Sequence, residues 1–147
     1  MKRILWILAI VVAVAAGLGQ NNGRLPLFNG RDAAPAAATD AIDKAYRDRQ
    51  SALQVTGQGE VTALLSDDKQ GSRHQRFILR LASGLTVLVA HNIDLAPRID
   101  GLQKGDTVAF NGVYEWNDKG GVVHWTHHDP AGRHVPGWLR HAGRTYE

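Results

Sequence analysis

Cysteine is absent from the 147-residue chain. That excludes disulfides, thiolate zinc sites, cysteine nucleophiles and a lipidated N-terminal cysteine. A dominant charge is missing too: Lys plus Arg number 17 against 14 for Asp plus Glu, and setting aside Lys2 and Arg3 of the N-terminal segment leaves 15 against 14. Non-specific nucleic-acid binding needs a basic stripe rather than so small a surplus, so nucleic acid is disfavoured as a partner. The chain has no Gly-rich phosphate loop, nucleophile elbow, His-Glu-x-x-His pair, paired acidic motif or internal repeat. Catalysis therefore has no familiar signature here.

What is present begins with a positive start, Met1-Lys2-Arg3, followed by 15 residues from Ile4 to Leu18 that are all apolar or Gly. As a helix this run covers about 22 Å, short of the roughly 30 Å hydrocarbon core of a bilayer. Residues 1–19 read as an export signal. It is either cleaved near Ala13-Val14-Ala15 or retained as an anchor that ties the chain to a membrane. The expected location is periplasmic, or inner-membrane-anchored with the domain in the periplasm.

Residues 20–39, rich in Asn, Gly, Pro and Ala, read as a flexible linker. Residues 40–53 read as a short helix capped by Asp40, with Ile42, Ala45, Tyr46 and Leu53 on one side. From residue 54 to 147 the pattern is β, with strands expected at Val55–Leu65, Gln75–Leu81, Thr86–His91, Thr107–Trp116 and Val122–His127. A short helix is expected near Pro97, between the third and fourth strands. Three strands, a short helix and two strands is the order of a five-stranded OB-like barrel, a mainly β fold. Gly57 and Gly59 fit the sharp bend its first strand needs. Alternation assigns Phe77, Leu79, Leu81, Val87, Val89, Val108, Phe110 and Tyr114 to the core, with His74, Arg76, Ile78 and Arg80 facing outward.

Five of the seven histidines fall in the last 24 residues, mostly within His124-Trp125-Thr126-His127-His128-Asp129-Pro130. In an extended strand His124 and His128 would stand about 13 Å apart, too far to share a metal. If Pro130 to Arg133 turns the chain back, however, His127, His128, Asp129 and His134 become candidate ligands for a divalent metal such as zinc. The same side chains can instead hydrogen-bond to close a loop. Candidate ligand-binding residues are His91 and Asn92 after the third strand, together with Tyr114, Trp116, His124, Trp125 and Trp138 as a polar and aromatic platform. Core and edge packing is the plainer use of such rings. Arg73, His74, Arg76 and Arg80 form a candidate anion face.

The segments Ala90-His91-Asn92-Ile93-Asp94-Leu95-Ala96-Pro97-Arg98-Ile99, Gly105-Asp106, Gly112-Val113-Tyr114-Glu115-Trp116-Asn117 and His124-Trp125-Thr126-His127-His128-Asp129-Pro130, with Gly137-Trp138 and His141, resemble a bacterial family of small exported proteins classed as a domain of unknown function. The likeness covers Val55 to Tyr146. It implies a shared fold and export and supplies no activity. The expectation is an exported binding or accessory module of the cell envelope, acting on an envelope ligand or protein. Two alternatives stand beside it: a metal-dependent hydrolase using the C-terminal His/Asp cluster, and a purely structural partner in an envelope complex.

Overall fold

A computed structural model describes residues 35–147, with side chains from Thr39 onward. The expected N-terminal segment (1–19) and most of the expected linker lie outside the described residues. No described helix is long and apolar enough to cross a membrane.

Helix α1 (Pro35–Arg47) begins earlier and ends sooner than the expected 40–53. Proline suits a first helical position and alanine has the highest helix propensity, so the Ala-rich run read as linker is the helix's first turn. The helix stops where Arg49 takes a left-handed φ of 54°. There the Gln50 N–H donates to Ala45 O at 2.9 Å and the Arg49 N–H to Tyr46 O at 3.3 Å, the paired bonds of a Schellman cap.

Seven strands follow: β1 (Leu53–Asp68), β2 (His74–Arg80), β3 (Thr86–Asn92), β4 (Thr107–Glu115), β5 (Val122–His124), β6 (Trp138–His141) and β7 (Arg144–Tyr146). The pairings β1–β2, β2–β3, β3–β5, β5–β4 and β4–β1 close into a five-strand ring, with only β3–β5 parallel. β1 can serve two neighbours because it is long and bent. Leu53–Glu60 pairs with β4 and Glu60–Asp68 with β2. At the bend, a Cβ on Gly59 would come within 2.8 Å of the Arg80 carbonyl oxygen, so only glycine lets the strands approach this closely.

Two elements escaped the sequence reading. β6 pairs with β4 beside β5, and β7 pairs with β6, extending the sheet past the ring. The hairpin is tied back to the β3–β4 connection by His141 Nε2, 2.8 Å from Asp106 Oδ2. Conversely, the helix expected near Pro97 is absent, and residues 93–106 are turns and irregular chain. Around Pro97 the key backbone groups are claimed from outside the segment, Pro97 O by His91 and both groups of Ile99 by Gln75, which opposes coiling. The buried Gln75 side chain donates to Ile99 O at 2.9 Å and accepts from the Ile99 N–H at 2.8 Å, acting as a surrogate strand.

The inward residues are those that alternation assigned: Phe77, Leu79, Leu81, Val87, Val89, Val108, Phe110 and Tyr114 are all buried, joined by Val61, Val123 and Leu139. Ile99 and Leu102 add the connection to this core, and Ile42 and Ala45 add α1. The helix is fastened where the β2–β3 and β4–β5 turns meet. Ser83 donates to Asp43 at 2.8 Å, and Trp116 Nε1 donates to Tyr46 O at 3.1 Å. α1 is thus part of the domain rather than a spacer. Ile42→Ala, which empties a fully buried site, is expected to cost about 2–4 kcal/mol in urea unfolding. Leu95→Ala, at an exposed position, should cost less than about 0.5 kcal/mol. Equal, small effects would mean that the helix is undocked in solution.

Candidate functional site

The end of the ring opposite α1 is held by one buried imidazole. His91, at the end of β3, is completely buried. Its Nε2 lies 3.0 Å from Pro97 O and its Nδ1 2.8 Å from Thr126 Oγ1. A carbonyl only accepts, so Nε2 carries the proton, and Nδ1 accepts from the Thr126 hydroxyl. Burial pushes this imidazole down to about 4, with nearby His127 and His74 adding to the fall. His91 is therefore a neutral pin joining β3, the β3–β4 connection and the exit of β5, not a ligand group facing solvent.

Past that pin the chain turns sharply. β5 ends at His124 rather than His127 because Trp125 adopts a left-handed φ of 53°, unusual for a residue with a side chain. The chain folds back, and the Gly137 N–H reaches His127 O at 3.0 Å. A Cβ at Gly137 would overlap the Trp125 carbonyl oxygen, which explains the glycine. The fold-back does not gather a metal site. Asp129 is buried, and its carboxylate accepts the backbone N–H groups of Ala131 at 2.9 Å, Arg133 at 2.8 Å and His134 at 3.0 Å. These bonds, that from Ala131 foremost, hold its carboxyl below the usual range.

The four candidate metal ligands part company accordingly. Asp129 caps its own loop, His127 is buried with Nδ1 2.8 Å from His128 O, and His128 is exposed. His134 stacks on Trp125 with ring centroids 3.8 Å apart, while His127 approaches the same indole at 5.3 Å. Among the described residues no three His, Asp or Glu side chains are placed to hold a metal ion.

The candidate ligand-binding residues are dispersed in the same way. Tyr114 is fully buried and its hydroxyl, pushed up to about 12 mainly by burial, donates to Gly120 O at 2.8 Å. Asn92 accepts the Asp94 N–H in an Asx turn. Trp116 seats α1, and Trp138 lies under the Arg140 guanidinium at 4.0 Å. The candidate anion face is largely satisfied from within. Arg73 pairs with Asp94, Arg80 pairs with Glu60, Arg76 donates twice to Ser66 O, and His74 Nδ1 lies 2.8 Å from Ser72 O.

One candidate, His124, does face an open surface. Its Nε2 is buried without a hydrogen-bond partner, and Glu115 Oε1 stands 3.5 Å away without hydrogen-bond geometry. The two line a groove of about 360 Å³ with Asp68, His74, Arg76, Ala90 and Val122. A second groove of about 240 Å³ is lined by Leu65, Ile78, Thr86, Val87, Leu88, Asn117, Lys119 and Gly121. Strand register joins the two. Ala63 lies opposite Ile78, Ile78 opposite Leu88, and Leu88 opposite Val122, which makes an aliphatic row across the outside of β1, β2, β3 and β5. Sequence reasoning missed this row although its signal was present: β2, β3 and β5 carry aliphatic residues on both alternating sets, where a strand with one solvated face needs them on only one.

By fold the chain is a small, mainly β domain organised on a five-strand ring, with a half-buried aliphatic row on its outer face. It belongs to the DUF3465 family, described as a protein of unknown function, whose model matches residues 27–147. That match takes in α1, in keeping with the docked helix. No curated protein matches the chain.

The buried imidazole has a measurable consequence. As pH falls, unfolded chains take up a proton on His91 near 6.5, whereas the folded state resists it until about 4, so stability drops between those values. From pH 7 to 5 the loss should be about 2 kcal/mol in urea unfolding. His91→Gln should flatten that slope. An unchanged slope would show that His91 is not the group responsible.

Proposed function

We propose that this chain is an exported binding module of the cell envelope, with the five-strand ring serving as an OB-like barrel and the outer face of β2, β3 and β5 as its contact surface. The ring order, with β3 parallel to β5 and β1 returning to β4, supports the barrel reading. In OB-type barrels the face of the second and third strands binds, edged by the β1–β2 and β4–β5 loops. The observation that carries the reading is the half-buried aliphatic row Ala63–Ile78–Leu88–Val122, which runs between two open grooves. The contact surface extends from His124 towards Trp125 and His134 at the loop. The hydrolase alternative would need His127, His128, Asp129 and His134 to converge, and Asp129 is committed to three backbone N–H groups.

Export is tested by fusing alkaline phosphatase to the C-terminus of the full chain. Activity is expected, and its absence would place the domain on the wrong side of the membrane. Binding is tested by thermal shift with chitotetraose, oligothymidylate and a pool of random dodecapeptides. At least one should raise Tm for the wild type and not for Leu88→Asp or Ala90→Arg, both on the outer face. No rise with any probe, or equal rises in the variants, would overturn the assignment of the surface.

A further inference from the structure

Building on the binding-module reading, we infer that the outer face takes an extended polypeptide segment carrying aliphatic side chains, rather than a nucleic-acid strand or a glycan. Three observations select among these. First, neither groove is lined by Trp, Tyr or Phe. Single-stranded nucleic acids and sugars are held by aromatic faces on which bases or rings stack. The indole beside His124, Trp125, lies 6.4 Å from its ring and already carries His134 stacked at 3.8 Å and His127 at 5.3 Å.

Second, the groove around His124 is mixed in charge. It sets Asp68 and Glu115 beside Arg76, His74 and His124, and Arg76 is engaged by Ser66 O. A phosphodiester backbone would meet two carboxylates with little free positive charge to offset them. A polypeptide of balanced charge meets complementary groups within this one groove, acidic positions towards His74 and basic ones towards Glu115 and Asp68.

Third, the shape fits. Four strands at about 4.8 Å spacing make the aliphatic row about 14 Å long, which an extended peptide crosses in four or five residues, with alternate side chains turned down onto the sheet. Exposed Leu65 and half-buried Ile78, Leu88 and Val122 supply apolar contacts for those side chains. At the rims, the grooves are lined by the polar side chains of His74 and Asn117, which offer hydrogen-bonding groups to a peptide backbone.

The experiment is selection of dodecapeptides from a phage-displayed random library on the full chain, followed by amide chemical-shift mapping with the synthetic winners. Chitotetraose and oligothymidylate are titrated in parallel. The expected result is a set of winners with aliphatic residues at alternate positions that shift the amides of β2, β3 and β5. Their affinity should fall at least about tenfold in Leu88→Asp and, independently, in Ala90→Arg. If oligothymidylate or chitotetraose shifts those amides and no peptide does, the polypeptide assignment is wrong while the binding surface stands. If winners map elsewhere, for example to the β6–β7 hairpin, the assignment is also wrong. If no probe shifts the outer face, the surface assignment falls with it.

Discussion

The arrangement at the site end of this domain depends on a single buried contact, the His91 imidazole shared between Pro97 O and the Thr126 hydroxyl. A ring nitrogen that donates and another that accepts can hold together two chain segments with opposite needs, provided that the imidazole stays neutral. Burial keeps it neutral. From that contact the rest follows in order. Thr126 is fixed beneath the sheet, Trp125 must take a left-handed turn to reach it, and the loop 125–137 closes on itself around Asp129 and the Gly137 N–H. The same contact, with Gln75, holds the β3–β4 connection against the core without helical structure.

These constraints separate the two kinds of polar residue in the chain. Most of the histidines and acids singled out in the sequence are consumed by architecture: His91 as a pin, Asp129 as a loop cap, His141 as a tie to Asp106 and His134 as a stacking partner. What remains open to solvent is less conspicuous, an aliphatic row with His124 and Glu115 at its edge. Partly exposed apolar surface costs solubility, which is why this row is the feature on which the functional reading rests.

Much of the fold was legible because its signal is local. Period-two alternation assigned every core residue it named on the second, third and fourth strands, and the glycine pair in β1 marked the bend. β6 and β7 were not legible. They are short, they follow a loop, and the pairing of β6 with β4 depends on Gly137 passing against the Trp125 and Asn111 carbonyl oxygens, a contact no local pattern announces. The helix expected near Pro97 failed for a similar reason. Pro97 suits a helix start, but distant Gln75 and His91 claimed the backbone groups first. The turn back after the His-Trp-Thr-His-His-Asp-Pro segment entered the sequence reading only as the condition for a metal site, and its residue types suggest ligands equally well whether or not their lone pairs are already engaged. Only the backbone around Asp129 decides that.

The central claim is that His91 is a neutral, Nε2-protonated imidazole locked between two acceptor and donor groups. Imidazole nitrogen NMR on the labelled chain tests it most directly. His91 should show a protonated Nε2 and a bare, hydrogen-bonded Nδ1, with no change from pH 7 down to 5. A His91 resonance that titrates near 6.5, or one with its proton on Nδ1, would contradict the account.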